Sequence, residues 1–145
     1  MITFEPFNPS FAADVKDSFA KQAVMVTIGA ELVSVAPGAV QISLPYRSDL
    51  TQQHGYLHAG IVTTIADSAC GYAAYTLMPP NSAVLSVEFK VNLLRPAKGQ
   101  EFLAVAEVLK PGRTLTVVRA DVFANPKSER ALVATMLGTM MCLIK

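Results

Sequence analysis

"HAGIVTTIADSACGYAAY", residues 58–75, decides how the chain is read. Apolar and small residues recur at every helical phase, so the stretch predicts a helix buried on all sides. Asp67 is its only carboxylate, and a charge there is costly unless it is paired, hydrogen-bonded or employed. Gly60, Thr63, Asp67, Cys70, Gly71 and Ala74 fall three or four residues apart and form one stripe. Every member but Asp67 is small, so a ligand or a second backbone can come close to the carboxylate. Ile61, Val62, Ile65, Ala69, Tyr72 and Tyr75 take the opposite side. The plainer reading pairs Asp67 with a basic or hydroxyl side chain for stability.

Outward from this helix, periodicity predicts the rest. Ser10 is placed to cap a helix carrying Phe11, Val15, Phe19 and Ala23, with Asp14, Lys16, Asp17 and Lys21 facing out. That helical extension covers residues 1–25. Gly29 to Val35 and Val40 to Leu44, joined by Pro37-Gly38, read as a hairpin. After the stop at Met78-Pro79-Pro80-Asn81, Leu85, Val87, Phe89 and Val91 alternate with Ser86, Glu88, Lys90 and Asn92. Phe102 to Leu109, Leu115 to Phe123 and Ala131 to Ile144 complete three or four long strands, the last apolar on both faces. The chain therefore reads as one α+β domain over 1–145, an antiparallel sheet wrapped around one long helix. The sheet must have an edge, and the apolar final strand makes association with a second copy attractive.

The loop before the helix, "QQHGYLHAG" at 52–60, adds Gln52, His54 and His58, with Gly55 and Gly60 allowing unusual backbone angles. The Ala59 and Gly60 amides fall at the helix N-terminus, where unpaired N–H groups favour negative charge and can hold a developing oxyanion. Donors, an amide side chain and a carboxylate together suggest hydrolysis of an activated acyl group.

The glycine three residues before His58, the His-Ala-Gly step and the Asp-bearing helix resemble the hotdog-fold acyl-CoA thioesterases of the phenylacetic-acid-degradation type. The resemblance runs roughly from Ala36 to Leu143 and includes "SVEFKVNLLRPAKGQ" and "LKPGRTL". It implies that Asp67 is the catalytic base or nucleophile and that the Ala59 amide polarises the thioester carbonyl. It further implies that His58 shapes the loop, that Gln52 orients water or substrate, and that Ser86 assists the water. Ala59 stands where the family usually has Gly, and Gln52 where relatives often have Asn. The site is implied to span a dimer interface. The spacing agrees, since Asp67 lies about 13 Å along the helix from His58, too far for both to serve one carbonyl.

Arg95, Lys98, Lys110 and Arg113 flank two turns and, with Pro96, are the candidates for binding the phosphates of coenzyme A. An apolar tunnel bordered by Leu50, Tyr56 and Tyr75 would take an aryl-acetyl or medium-chain acyl group. No cofactor is expected beyond the coenzyme A of the substrate. A non-catalytic acyl-CoA-binding protein is the alternative, and a hotdog dehydratase is disfavoured because no His-Phe-Pro-Gly sequence occurs.

Composition narrows the field. Apolar residues make up 52% and charged residues 16%, which fits a dense core with apolar surface left for other subunits. A net charge of +1 with no basic block argues against nucleic acid or a membrane as partner. Cys70 and Cys142 have neither metal-ligand nor disulfide-framework spacing. Residues 1–10 lack the pattern of a signal peptide, so a cytoplasmic homodimer, or a dimer of dimers, is expected.

Overall fold

The computed structural model describes residues 2–145; Met1, where the expected domain begins, lies outside them. Alternating apolar residues produce six strands: β1 (Glu31–Ala36), β2 (Ala39–Pro45), β3 (Ser82–Leu93), β4 (Glu101–Lys110), β5 (Leu115–Ala124) and β6 (Ala131–Ile144). They form one antiparallel sheet in the order β1-β2-β4-β5-β6-β3. Helix α3 (Ala59–Tyr75) packs in its concave face against β2 through β6. This is the hotdog arrangement.

The strands curl closely around α3 because the facing residues are small. Ala104 and Ala106 on β4, Ala120 on β5 and Ala134 on β6 are buried with Ala66, Ala69 and Ala73 of the helix. Larger side chains fill the flanks, where Phe102, Ile42, Leu44 and Ile65 are fully buried. Each of these contributes roughly 1.5–3 kcal/mol by leaving water. Thr76 closes α3: its Oγ donates to the Ala73 carbonyl at 2.7 Å and accepts from the Gly38 N–H at 2.7 Å. The helix thus ends before Pro79 is reached.

The structure corrects three expectations. The apolar last strand is interior, with β5 on one side and β3 on the other, and the edges are β1 and β3. The N-terminal helix is two, α1 (Phe11–Lys21) and α2 (Ala23–Ile28), so helical structure passes residue 25. Ser10 occupies the cap position of α1 without a side-chain bond. Asn8 does that work instead, with Oδ1 accepting from the Ser10 N–H and Nδ2 donating to Asp14.

The third correction concerns β3. Simple alternation puts Ser86 with Glu88, Lys90 and Asn92, but the register against β6 shifts between Ser86 and Glu88. Ser86 pairs with Met140 and Glu88 with Thr139, so Val87 is one residue too many. Val84 before the bulge and Val91 after it both pack on the core, although their numbers differ in parity. The bulge leaves Ser86 on the face that meets α3.

Candidate active site

The loop into α3 is pinned on both sides. Leu57 N–H donates to the Ala97 carbonyl and His58 N–H to that of Leu50, each at 3.0 Å. His58 is the N-cap, with extended backbone (φ −61°, ψ 139°), and its Nδ1 accepts from the Gly60 N–H at 2.8 Å. Its carbonyl accepts from Ile61 and Val62 at 2.9 and 3.1 Å. Among the described residues, Ala59 is left with the only one of the first four helix amides that has no acceptor. Gly60, expected as a second free donor, is committed to His58. The histidine therefore shapes the loop and isolates one N–H at the positive end of the helix.

Gln52 is held by its own loop. Its Oε1 accepts from the His54 N–H at 2.6 Å and the Tyr56 N–H at 3.3 Å, which leaves the Nε2 donors uncommitted among the described residues. Gln52 and Ala59 line one hollow of about 410 Å³ with Tyr56, Val62, Leu94 and Arg95.

Asp67 is half-buried rather than enclosed, because the side of α3 bearing Gly60, Thr63, Asp67 and Gly71 is partly open. Cys70 and Ala74, expected on that stripe, are fully buried. Ser86 Oγ donates to Asp67 Oδ1 at 2.7 Å, and among the described residues no cation pairs with this carboxylate. Oδ2 is left without a partner there. Asp67 and Ser86 line a second hollow, of about 350 Å³, with Ser18, Lys21, Gln22 and Gly71. Nothing local in the sequence marks Ser18 and Gln22 as a wall; Lys21, expected to face out, is exposed and borders this hollow. Burial first, then the nearby Asp67 charge, pushes the Cys70 thiol up to about 12, so it stays protonated beside the carboxylate.

One chain thus brings Gln52 to Ala59 and Asp67 to Ser86, but keeps the two pairs in separate hollows. Eight residues of helix, about 12 Å, lie between Ala59 and Asp67.

The basic residues divide likewise. Arg95 and Pro96 border the Ala59 hollow, and Lys98 follows in the same exposed loop. Lys110 ends β4 and Arg113 follows in the turn beyond it, where Arg113 lines a different hollow with Phe4, Phe7 and Leu77. A ten-residue strand spans about 33 Å, so the four do not form one cluster within a chain. Tyr56 and Tyr75 are also separated, at opposite ends of α3, and do not border one tunnel. Among the described residues no three His, Cys, Asp or Glu side chains converge as metal ligands, and no helix is long and apolar enough to cross a membrane.

Comparison with known proteins places the chain in a family. The family model described as the thioesterase superfamily matches residues 54–131, more than half of the chain. The chain belongs to the thioesterase superfamily. A superfamily member of known structure, a thioesterase family protein from Silicibacter pomeroyi, is 56% identical over 93% of this chain and 99% of its own, with a TM-score of 0.91. The 1,4-dihydroxy-2-naphthoyl-CoA hydrolase of Listeria monocytogenes is 31% identical over 63% of this chain and 74% of its own length. Human acyl-coenzyme A thioesterase 13 is 32% identical over 62% of this chain, which spans 64% of that relative. The superfamily match covers the loop from His54 onward, α3 and the Asp67–Ser86 pair, and leaves Gln52 just outside.

Proposed function

We propose that the protein hydrolyses acyl-CoA thioesters, of the aryl-acetyl or medium-chain class, to the free acid and coenzyme A. In this reading it is of the phenylacetic-acid-degradation type and works in the cytoplasm. The observation that carries the reading is Asp67, held by Ser86 through one oxygen with the other oxygen open to the hollow. Oδ2 takes a proton from water as the water oxygen bonds to the thioester carbon; in the alternative route Oδ2 itself attacks and water then cleaves the acyl-enzyme. The C–S bond breaks, and sulfur leaves as thiolate to be protonated as coenzyme A. Charge developing on the carbonyl oxygen falls to the Ala59 N–H, while Gln52 Nε2 orients water or substrate. Arg95 and Lys98, beside the Ala59 hollow, suit the carrier's phosphates. The reaction needs only water and the protein's own groups.

The working unit in this reading is a dimer with shared sites, two of which associate as a dimer of dimers. Edge strand β3 exposes Leu85, Val87 and Phe89 by 55%, 51% and 43%, an apolar edge suited to pairing with a second copy. Antiparallel association there would bring the Asp67 hollow of one chain to the Ala59 hollow of the other.

The test is turnover of an acyl-CoA panel, phenylacetyl-CoA and hexanoyl-CoA included, by wild type and Asp67→Asn with a thiol-detecting assay. The near-isosteric change should preserve the melting temperature and lower kcat by roughly 10²–10⁴-fold. Activity within about threefold of wild type, below about 1 kcal/mol of barrier, would remove Asp67 from the chemistry.

A further inference from the structure

Helix α1 ends at Lys21 and α2 begins at Ala23, with neither proline nor glycine at the break. Gln22 takes an extended backbone there, and its Oε1 accepts from Ser68 Oγ of α3 at 3.2 Å. One turn earlier, Ser18 Oγ lies 3.1 Å from the Tyr72 hydroxyl, also on α3. These two bonds fasten the break against the central helix and make it a wall of the Asp67 hollow.

That wall is polar. Ser18, Lys21 and Gln22 line it from the α1 side and Ser68 and Tyr72 from α3 beside Asp67, with Val84 as the large apolar exception. A methyl-ended alkyl chain lodged there would displace water from these groups and return no hydrogen bonds. Lys21 is the only cation lining the hollow among the described residues, and it makes no ion pair there within 4.0 Å. The acids nearest to it on α1 are Asp14 and Asp17, which line the adjoining hollow with Lys145 and Lys21 itself; Asp14 is already bonded to Asn8. Arg95 and Lys98 lie with Ala59, so the carrier's phosphates have their own cations away from this wall.

We infer, on the reading of this site as a thioester-hydrolysing centre, that within the medium-chain class its acyl group ends in a carboxylate and that Lys21 selects it. The substrate class is an ω-carboxyacyl thioester, the half-thioester of a dicarboxylic acid.

The experiment compares adipyl-CoA with hexanoyl-CoA, equal in chain length and differing in the terminal group. Wild type should show kcat/KM at least about tenfold higher for adipyl-CoA. Lys21→Met should lower the adipyl-to-hexanoyl ratio about tenfold, and Lys21→Arg should restore most of it. Calorimetric binding of the same two thioesters to Asp67→Asn, with and without Lys21→Met, reads the same contrast without turnover. If neither thioester is hydrolysed, the hydrolase reading falls while the binding contrast still decides the role of Lys21. A wild-type preference for hexanoyl-CoA overturns the inference, as does a Lys21→Met change that weakens both thioesters alike and so assigns the lysine to the carrier.

Discussion

At the scale of single residues, Ala59 offers a clean separation of chemistry from folding. Proline has no N–H, is favoured at the first helical position, and needs an extended residue before it. His58 is already extended, with ψ 139°, and the Ala59 N–H has no acceptor to lose. Ala59→Pro should therefore melt within a few degrees of wild type while kcat falls roughly 10²–10³-fold, the usual loss for one oxyanion donor. A folded variant with wild-type kcat would strike this amide from the mechanism. Asp67, His58 and Ala59 are legible in sequence because a lone charge on a small-residue stripe and a cap beside a helix start are local features. That Gly60 is not a second donor is not legible, since it depends on which way the His58 ring turns.

At the scale of elements, α3 buries a thiol and a phenol in the sheet, and both resist ionisation. Burial, with a smaller push from Asp67, raises Cys70 from 9.0 to about 12, and burial also raises Tyr72 against the opposing effect of its Ser18 bond. A folded-state value above the unfolded one stabilises below the unfolded value and loses that stability as pH rises through the folded one. Stability should thus hold to about pH 9 and decline between 9 and 12 as the unfolded thiol ionises and the folded one does not. Cys70→Ala should flatten that decline, read as urea midpoints at pH 8, 9 and 10. Equal slopes in both proteins would place the alkaline loss elsewhere. The elements themselves were readable from periodicity, and α3 begins and ends within one residue of the quoted stretch. The break at Gln22 was not, because it comes from contacts with Ser68 and Tyr72, not from a breaker in the chain.

At the scale of the whole molecule, the two hollows make assembly a question of activity. Mixing Asp67→Asn with Ala59→Pro and allowing subunits to exchange gives mixed dimers in which one shared site collects both defects and the other neither. Activity should return to about a quarter of wild type, since half of the dimers are mixed and half of their sites intact. Verified mixed dimers that stay inactive would assign each site to a single chain. Strand order was the least legible property. Position in sequence suggested β6 as an edge, but the path through α3 carries β3 to the far side, and crossovers leave no mark in alternation. Ser86 is legible only through the family resemblance: plain alternation turns it away from α3, and the extra Val87 reverses that face.

The β3 bulge also says which change of length this strand can absorb. A contact held by parity tolerates many exchanges of side chain but depends on the residue count. Ser86 and Val91 share a face five positions apart only because Val87 is the extra residue. Removing Val87 alone would leave them four apart, so uninterrupted alternation would keep Ser86 on Asp67 and Val91 on the core with the same β6 partners. In a lineage of such proteins, β3 could therefore lose one codon at this point with chemistry and fold both intact.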